Sequence, residues 1–191
     1  MTLDEVSALL EKIKRIQGKL GSLDGDGFEW NLTHDVYGYQ EYSVEGVKKP
    51  EELQDEIENG FIWLWSLKDY VRKFSLSHGK NPNWIERQID NLESLSLCAD
   101  IANSLKHGGL DRKPRSGKNP ILSQVSYEMQ QDSISKLSFY ARRVEFVVSD
   151  PSKVKVSLDI IDNDNNKLGN AFTLINECLV EWENLIEQAQ A

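Results

Sequence analysis

The chain has 191 residues, 39% of them hydrophobic and 28% charged. That is ordinary globular usage, which argues against wholesale disorder, and the length suits one domain with an appendage or two small domains sharing a core. The net charge of −9 repels phosphate at long range and disfavours a nucleic-acid binder that relies on counterion release across its whole surface; a local basic patch remains compatible with it. The N-terminus is amphipathic and charged throughout, without the apolar run of a signal peptide, and no stretch approaches the ~20 apolar residues of a membrane span. The expectation is a cytoplasmic protein that makes no membrane contact.

Thr2 and Glu5 form a capping box, and Leu3, Val6, Leu9, Leu10, Ile13, Ile16 and Leu20 recur at helical steps, which predicts a helix from Leu3 to Leu20 stopped by Gly21. In the glycine- and aromatic-rich segment that follows, Phe28, Trp30 and Leu32 alternate with polar residues; a short strand and an ordered aromatic loop both fit this pattern. Lys49-Pro50 followed by a run of acids opens a long core helix bearing Leu53, Ile57, Phe61, Leu64, Trp65, Leu67, Val71 and Phe74, since proline suits the first helical position and acids suit the positive end of the dipole. Asn81-Pro82 starts a short helix through Ile89. Another runs from about Leu92 to His107 and is closed by Gly108-Gly109.

The run DRKPRSGKNP, Asp111 to Pro120, is loop-like and basic, and it marks a boundary between a helical bundle over 1–110 and a region of period-two sequence over 121–191 packed on that bundle. A strand is expected around Ile121 to Met129. Val144, Phe146 and Val148, then Val154, Val156, Leu158 and Ile160, alternate on either side of SDPS, which predicts a β-hairpin. Ala171, Leu174, Ile175, Cys178, Leu179, Trp182, Leu185 and Ile186 trace the apolar stripe of a final helix capped near Asn170. The expected fold class is α+β: mainly a helical bundle, then a small antiparallel hairpin or sheet and a C-terminal helix. Cys98 and Cys178 lack a CxxC partner and sit among apolar residues, so they read as small buried hydrophobes and neither as a disulfide nor as metal ligands.

At 100° per residue, the helix ending at His107 places Leu95, Cys98, Ile101, Ala102 and Leu105 on one face. Opposite them come Ser96, Asp100, Asn103, Ser104 and His107, where long Lys and Glu side chains would usually cover an exposed helix. Asp100 and His107 are two turns, about 10 Å, apart, with Asn103 between them. Lys106 and His107 also sit where the helix dipole favours cations. Immediately afterwards Arg112, Lys113, Arg115 and Lys118 concentrate positive charge, suited to a phosphate or an acidic partner; a solvated linker has the same composition.

The run ADIANSLKHGGL, with the aromatic core helix before it and a hairpin and Trp-containing helix after it, resembles a group of uncharacterised bacterial and phage proteins bearing D-x-x-N-x-x-K-H, and it is loosely similar to the HEPN superfamily of helical bundles. HEPN ribonucleases carry an arginine, a polar residue, three further residues and a histidine. Asn103 and His107 match the polar and histidine positions, and Ala102 stands where the arginine belongs. The resemblance implies a HEPN-like bundle, with pairing of two copies through the Asp100–His107 face.

Two functional expectations follow. The first is an accessory protein that binds a protein or a phosphate-bearing ligand through that face and the loop residues Arg112, Lys113 and Arg115, without enzymatic activity. The alternative is a HEPN-like metal-independent ribonuclease of a toxin or phage-defence system, with His107 as base, Asn103 and Asp100 supporting it, and Lys106 or a loop arginine at the phosphate. A small-molecule site in the aromatic segment Phe28–Tyr42 is a third reading. DGDG at Asp24 to Gly27 lacks the later ligands of a calcium loop, His34, His78 and His107 are scattered, and no phosphate loop or dinucleotide fingerprint is present, so no metal and no cofactor is expected.

Overall fold

The computed structural model describes residues 2–20, 22–34, 38–110 and 112–191. Gly21 and Asp111, the expected helix stop and the first residue of the basic loop, lie outside them. The chain divides into two units: residues 1–19, 55–124 and 158–191 form one, and residues 20–54 and 125–157 the other. The crossings fall at 19/20, 54/55, 124/125 and 157/158, and the basic loop stays within the first unit.

Among the described residues the α-helices are α1 (Leu3–Leu20), α2 (Pro50–Ser77), α3 (Trp84–Asp90), α4 (Glu93–His107) and α5 (Ala171–Gln190). The first unit is built on them. Its core takes Val6 and Ile13 from α1, Ile57, Phe61, Leu64, Leu67, Val71 and Phe74 from α2, Ile85 and Ile89 from α3, and Leu95, Cys98, Ile101 and Ala102 from α4. From α5 come Ala171, Leu174, Ile175, Cys178, Trp182 and Leu185, the stripe expected from the three- and four-residue spacing. Thr2 and Glu5 close the capping box: the Thr2 N–H donates to the Glu5 carboxylate at 2.7 Å and the Glu5 N–H to Thr2 Oγ1 at 3.3 Å. Asn170 caps α5 by accepting from the Phe172 and Thr173 amides. Cys98 and Cys178 are free, buried thiols. Each donates to a carbonyl of a neighbouring helix, Cys98 to Phe61 and Cys178 to Ser94; the contact with Cys98 and then burial push the Cys178 thiol well above its ordinary pKa. Three short strands, β3 (Ile121–Leu122), β8 (Asp159–Ile161) and β9 (Lys167–Asn170), complete this unit in the order β3-β8-β9.

The second unit holds a four-stranded sheet, β1 (Phe28–His34), β2 (Gly38–Glu45), β6 (Arg143–Val148) and β5 (Ile134–Phe139), in the order β1-β2-β6-β5. β2 and β6 run parallel and the other pairs antiparallel. The alternation of Phe28, Trp30 and Leu32 is therefore that of a strand. Opposite Trp30 lies Tyr42, the two rings stacked with centroids 5.0 Å apart. Gly46, at φ +85, follows β2 where a Cβ would collide with the Val148 carbonyl, so this close approach requires glycine. A two-stranded ladder of β4 (Ser126–Glu128) and β7 (Lys155–Ser157) accompanies the sheet.

A helical bundle followed by a hairpin does not describe this arrangement. β1 and β2 precede α2, and the expected hairpin across SDPS does not form: β6 pairs with β2 and β5, whereas β7 pairs with β4. The Ser149 and Asp150 amides both donate to the Ser133 carbonyl, and a single 3-10 turn spans Pro151–Lys153. These bonds end β6 by turning the chain toward β5 and away from a hairpin. Alternation sets which face of a strand is apolar but does not set its partner. Among the described residues no helix is long and apolar enough to cross a membrane.

Candidate functional site

The polar stripe of α4 has two parts with different surroundings. In its first half Ser96 and Asp100 are buried, at 4% and 3% exposure. Ser96 Oγ donates to the Ile89 carbonyl at 2.9 Å. Asp100 is saturated by the basic loop: Oδ1 accepts from the Arg115 N–H at 2.8 Å, and Oδ2 accepts from the Ser116 N–H at 2.8 Å and from Ser116 Oγ at 2.6 Å. A buried carboxylate without such donors would be strongly disfavoured. Asp100 is thus the clamp that folds the loop back on the helix, with its lone pairs committed to that task. Wheel geometry placed it opposite the apolar stripe correctly but could not show that residues fifteen and sixteen positions later would cover it.

The second half is open. Gly108, left-handed at φ 70, ends α4 by donating to the Ser104 carbonyl, and Gly109 donates to the same oxygen at 2.9 Å. The chain then returns past the helix end and encloses a cleft of about 450 Å³ lined by Trp65 and Lys68 of α2, by Ala99, Asp100, Asn103 and His107 of α4, and by Leu110, Arg112, Lys113 and Arg115 of the loop. Asn103 and His107, expected together, are together. Lys106 is exposed and is not among the lining residues. Ala102, at the arginine position of the HEPN pattern, is fully buried and is not among the lining residues.

The cations of the cleft differ in how far they are already neutralised. Arg115 contacts Glu86 and lies 3.3 Å from Asp90, and its guanidinium stands 5.5 Å from the centre of the Trp65 ring. Lys68 lies 3.4 Å from Glu86 and 4.9 Å from the same ring centre. Burial raises the Glu86 pKa, but the hydrogen bond from Arg115 and the charges of Lys68 and Arg115 outweigh it and hold the carboxyl below its ordinary value, so Glu86 is ionised at neutral pH. Lys118 pairs with Glu93 at 2.5 Å. For the side chains of Arg112, Lys113 and His107 no hydrogen bond or ion pair is formed among the described residues, although all three line the cleft.

Trp65, Lys68, Glu86 and Leu110 were not legible as site residues. Trp65 reads as core, and at 9% exposure it largely is. The single available signal is that Trp65 and Lys68 lie one turn apart on α2 and so share a face. Of the aromatic segment Phe28–Tyr42 no described residue lines this cleft; within the second unit its Asn31, Thr33, Gly38, Tyr39 and Glu41 line a shallow groove.

No family model matches the chain, and no curated protein and no solved structure is significantly similar to it.

Proposed function

We propose that this protein binds a phosphate-bearing ligand in the cleft at the C-terminal end of α4. One observation carries the reading: in a chain of net charge −9, Arg112 and Lys113 line a concave site together with Asn103 and His107, and the single carboxylate among its described lining residues, Asp100, is engaged in three hydrogen bonds. Cations without side-chain partners among the described residues, set in a bounded concavity, attract an anion; Asp100 keeps its negative charge, but its oxygens are turned to the loop amides and the Ser116 hydroxyl. A concave site of this size favours a small ligand over a protein surface. The test is isothermal titration with a nucleotide and with a short RNA, on the parent protein and on the double variant Arg112→Ala/Lys113→Ala. Binding that survives in the double variant sinks the proposal.

The ribonuclease reading keeps one favourable observation, that Asn103 and His107 line the same cleft as Arg112 and Lys113. In it His107 takes the proton of a ribose hydroxyl, Asn103 orients the reacting groups, and a loop cation meets the phosphate. Asp100 is left a positioning role through the loop, and Lys106 none. RNA cleavage in EDTA that disappears in His107→Ala, at unchanged thermal stability, supports this reading; cleavage persisting in that variant rules it out.

A further inference from the structure

We infer that the group held by the cleft is a terminal phosphomonoester, a dianion, rather than a bridging phosphodiester; this rests on the phosphate-binding reading above. Two features of the site point there. Arg112 and Lys113 offer two positive charges on consecutive residues, both lining the cleft and both without a bonded carboxylate among the described residues. Two adjacent cations match two negative charges, and a diester carries only one.

The second feature is the border of the cleft on the α3 side. There Glu86 and Asp90 flank Arg115, with Asp90 58% exposed. A phosphate chain leaving the cleft past Arg115 would carry its next phosphate toward these carboxylates, whereas a terminal phosphate has no next phosphate on that side. Lys68 from α2, itself 3.4 Å from Glu86, and His107 and Asn103 from α4 complete the polar surround. Trp65 is 9% exposed and has Lys68 and Arg115 over its ring, so little of its face is left for stacking a base. Recognition is thereby centred on the phosphate. A sugar phosphate, a mononucleotide and the phosphorylated end of an RNA all present this same group.

The experiment titrates the full chain with a nucleoside monophosphate, its methyl phosphodiester, the unphosphorylated nucleoside, a hexose phosphate, and a short oligoribonucleotide with and without a terminal phosphate. At least one monoester should bind about five- to tenfold more tightly than its partner lacking the second charge, the scale set by one exposed charge contact. That preference should vanish in Arg112→Ala/Lys113→Ala, return in the charge-conserving Arg112→Lys/Lys113→Arg, and persist in the control Lys155→Ala. Whichever monoester binds best then identifies the source of the group. Equal binding of monoester and methyl ester overturns this inference and leaves phosphate binding standing. A preference retained in the double alanine variant also overturns it, by placing the monoester elsewhere. Equal binding of nucleoside and nucleotide, or no binding of any probe, overturns both readings.

Discussion

Two cationic regions of this molecule, one in each unit, differ in what surrounds them. On the sheet of the second unit, Arg143 lies 2.9 Å from Glu29, 2.9 Å from Glu145 and 4.0 Å from Glu41, because β1, β2 and β6 bring those carboxylates to the same face. Its charge is answered by its own sheet. In the first unit the loop after α4 carries Arg112, Lys113, Arg115 and Lys118, but only Arg115 and Lys118 have carboxylate partners there, while Arg112 and Lys113 have none among the described residues. A basic run becomes a binding candidate only after the acids the fold supplies have been counted against it.

The largest expected effect breaks the clamp that makes this loop a wall. Asp100→Ala removes the acceptor of two part-buried backbone amides and a hydroxyl, and it should cost about 2–4 kcal/mol. A lowered urea midpoint, with faster amide exchange at Arg115 and Ser116, would check this. Unchanged exchange would mean that the loop is held by something else. The equivalent stroke against the sheet is Gly46→Ala, which meets both a positive φ and the Val148 carbonyl; about 1–3 kcal/mol is expected, read as a fall in thermal midpoint.

Arg112→Ala/Lys113→Ala separates binding from folding. Both side chains are exposed, so stability should stay within about 0.5 kcal/mol of the parent while phosphate affinity drops by about tenfold or more. Glu86→Gln tests the acidic border. The folded-state pKa of Glu86 lies below its ordinary 4.5, so the stabilisation it provides is complete above that value and is lost as pH falls through the folded value. The variant should therefore show a flatter acid limb in stability against pH, a modest change since the pair is solvent-screened. The smallest effect belongs to Arg143→Ala: a slight loss of stability that salt abolishes, with phosphate affinity untouched. A change in affinity there would erase the contrast between the two regions.

What sequence determined by itself was local. Spacing of apolar residues defined α1, α2, α4 and α5, Asn81-Pro82 announced the short α3, and Thr2, Asn170 and Gly108 announced ends, because helix formation and capping depend on neighbours within a few positions. The alternation around Val144 marked a strand for the same reason; around Phe28 it fitted a strand and an ordered loop alike, and the pairing of β1 with β2 decided for the strand. Tertiary structure alone decided partners. It paired β6 with β2, 102 residues away, in the register that sets Ser43 beside Glu145 and Glu41 beside Arg143, and it broke the hairpin that local alternation favoured. It also decided the fate of the polar stripe: Asn103 and His107 were readable as a pair, one turn apart, whereas the burial of Asp100 depended on where the chain went after Gly109. A helical wheel fixes the direction of a side chain, but whether that direction meets water, a backbone amide or a ligand is set by segments distant in sequence.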